Sequence, residues 1–170
     1  MAPLDLPDPC LVVLVGAAGS GKSTLAARLF AADQVLSSDA YRGIVSGDES
    51  DQAATVAAFR RLHHDLHVRL AEGRTTVIDA TNVTAYARRS VSRIAAKHGV
   101  PAVAIVMDLD PMLVHARNAT RPGRIVPSDA VDQQLRDLAR SLRRAELERE
   151  GYLAVHHLRT TGDVDGLTLR

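Results

Sequence analysis

A chain of 170 residues and 18.2 kDa has the size of one domain. Its composition, 46% hydrophobic and 24% charged, excludes a disordered chain, and no apolar run approaches the roughly 20 residues of a membrane helix. With 21 basic against 20 acidic residues the net charge is +1, so any site for a polyanion must be a local patch.

Two further features bound the class. The opening Met1-Ala-Pro-Leu-Asp-Leu-Pro-Asp-Pro9 lacks the basic segment of a secretory signal. The single cysteine, Cys10, excludes an intrachain disulfide and suits a reducing compartment. The expectation is a soluble, cytoplasmic, single domain over residues 1–170.

Taken in chain order, apolar runs alternate with amphipathic ones. Cys10–Val15 is apolar at every position, as in a strand buried on both faces. A glycine-rich turn leads into a helix predicted over Lys22–Ala32. Val35–Ser37 is a short second strand, and a short helix opens near Asp39. A long helix is predicted over Asp51–Glu72, stopped by Gly73. Thr75–Asp79 reads as a third strand, Thr84–His98 as a helix closed by Gly99, and Ala102–Met107 as a fourth strand. Pro111–Thr120 is helical with proline in its first turn. Ser128–Glu150 reads as one helix with a solvated, charge-rich second half, and Ala154–Leu158 as a fifth strand. This alternation implies an α/β fold of three layers, with a parallel sheet of about five strands and ligands at the strands' carboxyl ends.

Gly16-Ala17-Ala18-Gly19-Ser20-Gly21-Lys22-Ser23 fits G-x-x-x-x-G-K-[ST] between a predicted strand and a predicted helix. The glycines let successive N–H groups converge on an anion, and the following helix adds partial positive charge. In this reading Gly16 to Thr24 bind the phosphates of ATP, Lys22 reaches the β/γ-phosphates and the Ser23 hydroxyl ligates Mg²⁺. Only Lys22 and Lys97 are lysines, so the other 19 cations are arginine. A compact ammonium enters a phosphate nest where a guanidinium is a poor substitute.

Three other groups face the same strand ends. Asp39 is a candidate general base, able also to support the metal shell, with Arg42 on the same helical face as a phosphate clamp. Asp39 could equally be a helix N-cap. Asp79 ends the third strand as a Walker B carboxylate does and either holds a metal-bound water or satisfies loop N–H groups; Thr81 and Asn82 read as loop caps. Arg117, Arg121 and Arg124 lie in a stretch with no acid between residues 111 and 128. They suit an arginine-bearing lid over about 117–128 that neutralises transition-state charge, the bland alternative being a solvated basic face. His63, His64 and His67 lack the further ligands of a metal site and read as helix surface with at most one substrate contact. Cys10 reads as packing.

These segments, with Gly47-Asp-Glu-Ser-Asp-Gln52 and Val77-Ile-Asp-Ala-Thr-Asn82, resemble the 5′-polynucleotide kinase module of bacterial kinase–phosphatase (Pnkp-type) end-healing enzymes, within the P-loop kinases. The likeness spans nearly the whole chain, and its most telling part is Ser37-Ser-Asp-Ala-Tyr-Arg42. It implies transfer of the ATP γ-phosphate to a 5′-OH end of RNA or DNA in nucleic-acid repair. By the same resemblance Lys22 and Ser23 bind ATP·Mg, Asp39 is the base and Arg42 contacts the acceptor-side phosphate. Arg117, Arg121 and Arg124 match lid arginines, and a homodimer is compatible with it. Family members often carry phosphatase and ligase modules downstream; this sequence ends after the kinase module, as either an excised domain or a free-standing relative would. The alternatives are a kinase for a small-molecule hydroxyl, such as a metabolite or antibiotic, and a nucleotide-binding regulatory module without transfer chemistry.

Overall fold

All five residues of β1 (Leu11–Val15) are fully buried, because the strand lies in the middle of the sheet and is covered on both faces. In the computed structural model, which describes residues 3–47 and 54–170, β1 pairs in parallel with β3 (Thr76–Asp79) and β4 (Ala102–Met107). β2 (Val35–Ser37) extends the sheet beyond β3 and β5 (Ala154–Leu158) extends it beyond β4, also in parallel. The order is β2-β3-β1-β4-β5.

The alternation of side chains along β1 builds two cores. Leu11, Val13 and Val15 face a cluster with α3 (Thr55–Ala71) and α4 (Ala85–Lys97), joined by residues of α6 (Ser128–Arg143). Val12 and Leu14 face the opposite cluster, which contains Leu25 and Ala26 of α1 (Lys22–Leu29). The three-layer α/β expectation is met.

Three predicted strands stand with the same bounds, and the helices differ by a few residues at their ends. α2 (Ser38–Ser46) is capped by Ser37, whose Oγ accepts from the Ala40 N–H at 3.4 Å. Asp39 lies in the first turn and is not the cap. α4 is capped by Thr84, and α5 (Pro111–Ala119) by Asp110, whose carboxylate accepts from Met112 and Leu113. Residues 48–53, which include most of the Gly47–Gln52 motif and the predicted start of the long helix, lie outside the described residues.

The helix expected over Ser128–Glu150 is two. α6 stops at Arg143, Ala145 adopts φ 47° and ψ 44°, and α7 (Glu146–Arg149) follows. The break turns Glu146 and Glu150 inward to Arg88, a guanidinium of α4 that is 0% exposed. The charge-rich stretch is therefore only partly solvated: Arg140–Asp137 is a surface pair, whereas Glu146 and Glu150 complete a buried network. α8 (Thr161–Gly166), absent from the sequence reading, opens with a reciprocal cap between Thr160 and Asp163.

Candidate active site

The loop from Gly16 to Gly21 leaves β1 and enters α1 with no side chain capping the helix, so the first-turn N–H groups stay available to an anion. Gly19, at φ +88°, sits so close to α5 that a Cβ would come within 2.4 Å of the Val114 carbonyl oxygen. Gly21 takes φ +96° at the N-cap. Lys22 is buried and curls back over the loop, its Nζ donating to the carbonyls of Gly16 and Ala17, both at 2.8 Å, and to Ser20 Oγ at 3.4 Å. Burial pushes its pKa down to about 8; Asp79 opposes that shift and Arg121 adds to it. The Ala18 N–H donates to Gln134 Oε1 of α6 at 2.8 Å, which ties the loop to the next layer.

The ends of β1 and β3 are joined across the sheet. The Gly16 N–H donates to the Thr81 carbonyl at 2.9 Å, and Asn82 Nδ2 donates to the Leu14 carbonyl at 2.8 Å. Asn82 is thereby a strut between the two strand ends, and the cap of the following helix is Thr84. Asp79 Oδ2 accepts a 2.7 Å hydrogen bond from Ser23 Oγ, linking the Walker B position to the end of the phosphate loop. These two hard-oxygen groups are a donor pair that suits Mg²⁺.

On the facing side, Asp39 stands among three guanidinium groups. Arg42 pairs with it from the next turn of α2. Arg121 Nη2 donates to Oδ2 at 3.1 Å and Arg124 Nη1 to Oδ1 at 2.7 Å. Arg121 and Arg124 thus reach across 82 and 85 residues of sequence to Asp39. Asn118 fastens the base of their loop, donating to the Val126 carbonyl at 2.8 Å and accepting from its N–H at 3.2 Å. Arg117 projects beside Gly21. The basic stretch is therefore folded onto the site and is not a solvated face.

One cavity of about 640 Å³ contains this set. Ala18, Gly19, Gly21, Lys22, Ser23 and Thr24 line its phosphate side. Asp39, Arg42, Asp79, Arg117, Arg121 and Arg124 also face it. Gly16, Ala17 and Ser20 lie beneath it and hold Lys22. Thr55 and Phe59 of α3 also line it, and no sequence motif marks them. Gln134 had no signal either, being one polar residue on an amphipathic helix. The histidines stand apart: His67 Nδ1 is 3.0 Å from His98 Nε2 and His63 is beside Ser90, and no group of three metal-ligating side chains occurs among the described residues. Cys10 is buried, and burial pushes its thiol pKa up, in keeping with packing.

The sequence profile of the AAA_33 family, described as an AAA domain, matches residues 11–145. The chain belongs to this family. Comparison with curated proteins gives no match. Among solved structures, the Pnkp1/Rnl/Hen1 RNA repair complex superposes with a TM-score of 0.68 at 22% identity, covering 82% of this chain and 47% of that one. The chain thus spans about half the length of that relative. The APS kinase CysC of Mycobacterium tuberculosis, solved with AMPPNP and APS, gives 0.57 at 17% identity, with 94% and 93% covered. A gluconokinase from Sinorhizobium meliloti 1021 gives 0.56 at 17%, with 95% and 89% covered. At these identities the likeness establishes the fold, which in this AAA_33 member is that of the P-loop kinases. Among the described residues no helix is long and apolar enough to cross a membrane.

Proposed function

We propose that this AAA_33 protein transfers the γ-phosphate of ATP to the 5′-OH end of an RNA or DNA strand, in nucleic-acid repair. The observation that carries the reading is Asp39, held by Arg121 and Arg124 in the cavity that the phosphate loop also lines. A carboxylate facing a phosphate cradle suits the proton of an acceptor hydroxyl, and paired arginines suit the charge of a transferring phosphoryl group.

In this mechanism the loop N–H groups and Lys22 hold the β- and γ-phosphates. Arg121 and Arg124 exchange Asp39 for γ-phosphate oxygens, with Arg117 beside them, and so free the carboxylate as the acceptor arrives. Asp39 then takes the hydroxyl proton as the hydroxyl oxygen bonds to Pγ in line, the bond from Pγ to the β–γ bridging oxygen breaks and ADP leaves, while Arg42 contacts the acceptor-side phosphate. Ser23 and Asp79 would hold Mg²⁺, which supplies charge neutralisation on the β/γ oxygens. With Asp39 taking the acceptor proton, the metal role is assigned to Ser23 and Asp79, which are hydrogen-bonded to each other.

Support for the polynucleotide acceptor comes from the Ser37–Arg42 segment and from the RNA repair complex among the structural neighbours. A second reading, a small-molecule hydroxyl kinase, is favoured by the near-complete overlap with APS kinase and gluconokinase chains. The experiment is transfer of label from γ-labelled ATP to short 5′-OH RNA and DNA, with Asp39→Ala as control. Labelled oligonucleotide, reduced at least about 100-fold in the variant, supports the proposal. Absence of oligonucleotide labelling, with a nucleotide analogue still bound, overturns it and moves the search to small hydroxyl acceptors.

A further inference from the structure

Helix α4 contains four cations and no acid. Arg88 is turned into the core, and Arg89, Arg93 and Lys97 are exposed. At 3.6 residues per turn, Tyr86, Arg89, Arg93 and Lys97 fall within a stripe about 80° wide and about 16 Å long. Tyr86 is 86% exposed, whereas the other four aromatic residues of the chain are buried or half-buried. Beside the stripe, between α4 and α7, lies a second concavity of about 390 Å³, lined by Arg89, Ser92, Arg93, Ala96, Arg149 and Glu150.

The local charge is not cancelled. Both Glu150 oxygens bond Arg88, at 2.7 and 2.8 Å, and its side chain is 1% exposed. Glu146 is engaged by Ser141 and Arg88, and Glu148 faces His157 at 3.5 Å. Among the described residues no carboxylate lies within 4.0 Å of Arg89, Arg93, Lys97 or Arg149. In a chain of net charge +1 this is a concentrated basic surface. The stripe begins at Tyr86, two residues after Thr84, the N-cap of α4, which is itself five residues beyond Asp79 in the active site, and runs away from that edge of the sheet.

We propose that the α4–α7 groove and the adjoining face of α4 form a second nucleic-acid contact, in which Arg89, Arg93 and Arg149 of the groove hold backbone phosphates and Tyr86, outside the groove, stacks a base of a single strand whose 5′ end lies in the cavity. The proposal rests on the polynucleotide reading of the active site. Cations about 6 Å apart along α4, with one exposed ring at the end nearer the site, match a sequence-tolerant track for a single strand. A small-molecule acceptor would have no use for it.

The test is anisotropy of labelled 5′-OH single strands of about four and about twenty nucleotides, without ATP, over a salt series. Wild-type protein is compared with Arg89→Ala/Arg93→Ala/Arg149→Ala and with Tyr86→Ala. All four side chains are exposed, and circular dichroism confirms that each variant is folded. The expected result is a loss of about 10- to 30-fold in affinity for the long strand in the triple variant, a salt slope lower by about 2, and an unchanged short strand. Tyr86→Ala should lose about tenfold on the long strand at an unchanged slope. Wild-type affinity and slope in the triple variant overturn the proposal, as does equal binding of a polyglutamate peptide of matched length. Groove-dependent binding with no phosphoryl transfer would sink the kinase reading and leave the groove standing. Transfer to both lengths with no groove-dependent binding would do the reverse.

Discussion

Replacing Arg88 with Met should cost this protein a large share of its stability. The guanidinium donates from Nε and Nη2 to Glu150 at 2.7 and 2.8 Å, from Nη2 to Glu146 at 3.3 Å and Ser141 at 3.2 Å, and from Nη1 to the carbonyls of Asn82 and Val83 at 3.1 and 3.0 Å. Met fills much of the volume but leaves the Glu150 carboxylate buried without its counter-charge. Breaking one partner of such a pair costs about 3–5 kcal/mol, against a total of about 5–15 kcal/mol for a typical domain. For a chain of this size that is a fall of about 6–20 °C in Tm. Urea unfolding followed by circular dichroism measures it. The double variant Arg88→Met/Glu150→Leu removes the stranded charge and should recover a substantial part of the loss. The hydrogen bond from Ser141, then Arg88, holds the Glu146 carboxyl below its ordinary pKa. Its contribution is present above the usual carboxylate pKa and disappears as pH falls through the folded value, so the gap between wild type and Arg88→Met should narrow on acidification. A single-variant loss under about 1 kcal/mol, or no recovery in the double variant, would refute the reasoning. Because Arg88 also holds the turn after β3 that meets Gly16 and Leu14, KM for ATP should rise in any variant that remains folded.

The other predictions concern the site. A bound triphosphate favours the Lys22 ammonium, whose pKa burial lowers to about 8, so affinity for a nucleotide analogue should fall as pH rises above about 8, approaching tenfold per unit. Calorimetric titration from about pH 7 to about 9.5 reads this, and a profile as flat in wild type as in Lys22→Met would contradict it. Gly19→Ala should destabilise by about 1–3 kcal/mol, since the new methyl meets the Val114 carbonyl at a left-handed backbone; an unchanged Tm would show that the loop packs less tightly on α5. Asn118→Ala should free both buried backbone groups of Val126, costing about 1–3 kcal/mol and speeding tryptic cleavage after Arg124. Cleavage at the wild-type rate would mean that Asn118 does not fasten the lid loop.

The phosphate loop was legible because its chemistry is contiguous: one strand, eight residues and one helix contain the whole device. Asp79 was legible as the last residue of an apolar strand, and its contact with Ser23 follows from the pairing of β1 with β3. Arg88 was not, because nothing in Arg88-Arg89 says which cation turns inward. That choice is made by helical phase, by the break at Ala145 and by two glutamates about 60 residues away. Gln134 was hidden for the same reason, its partner lying 116 residues back along the chain.

The sequence by itself determined the succession of the five strands and of the helices up to α5, the phosphate loop and the residue types available at the strand ends, since periodicity, glycine placement and capping act over a few residues. Only the tertiary structure decided which of those side chains meet. The lid arginines could have faced water, and Asp39 could have been the cap of α2. Packing of the loop after α5 across the strand ends, fastened by Asn118, brings Arg121 and Arg124 onto Asp39, while Ser37 takes the cap. Charge pairs this distant along the chain form only when the sheet and its layers hold both ends still, because only then is the entropy of bringing them together already covered by core burial.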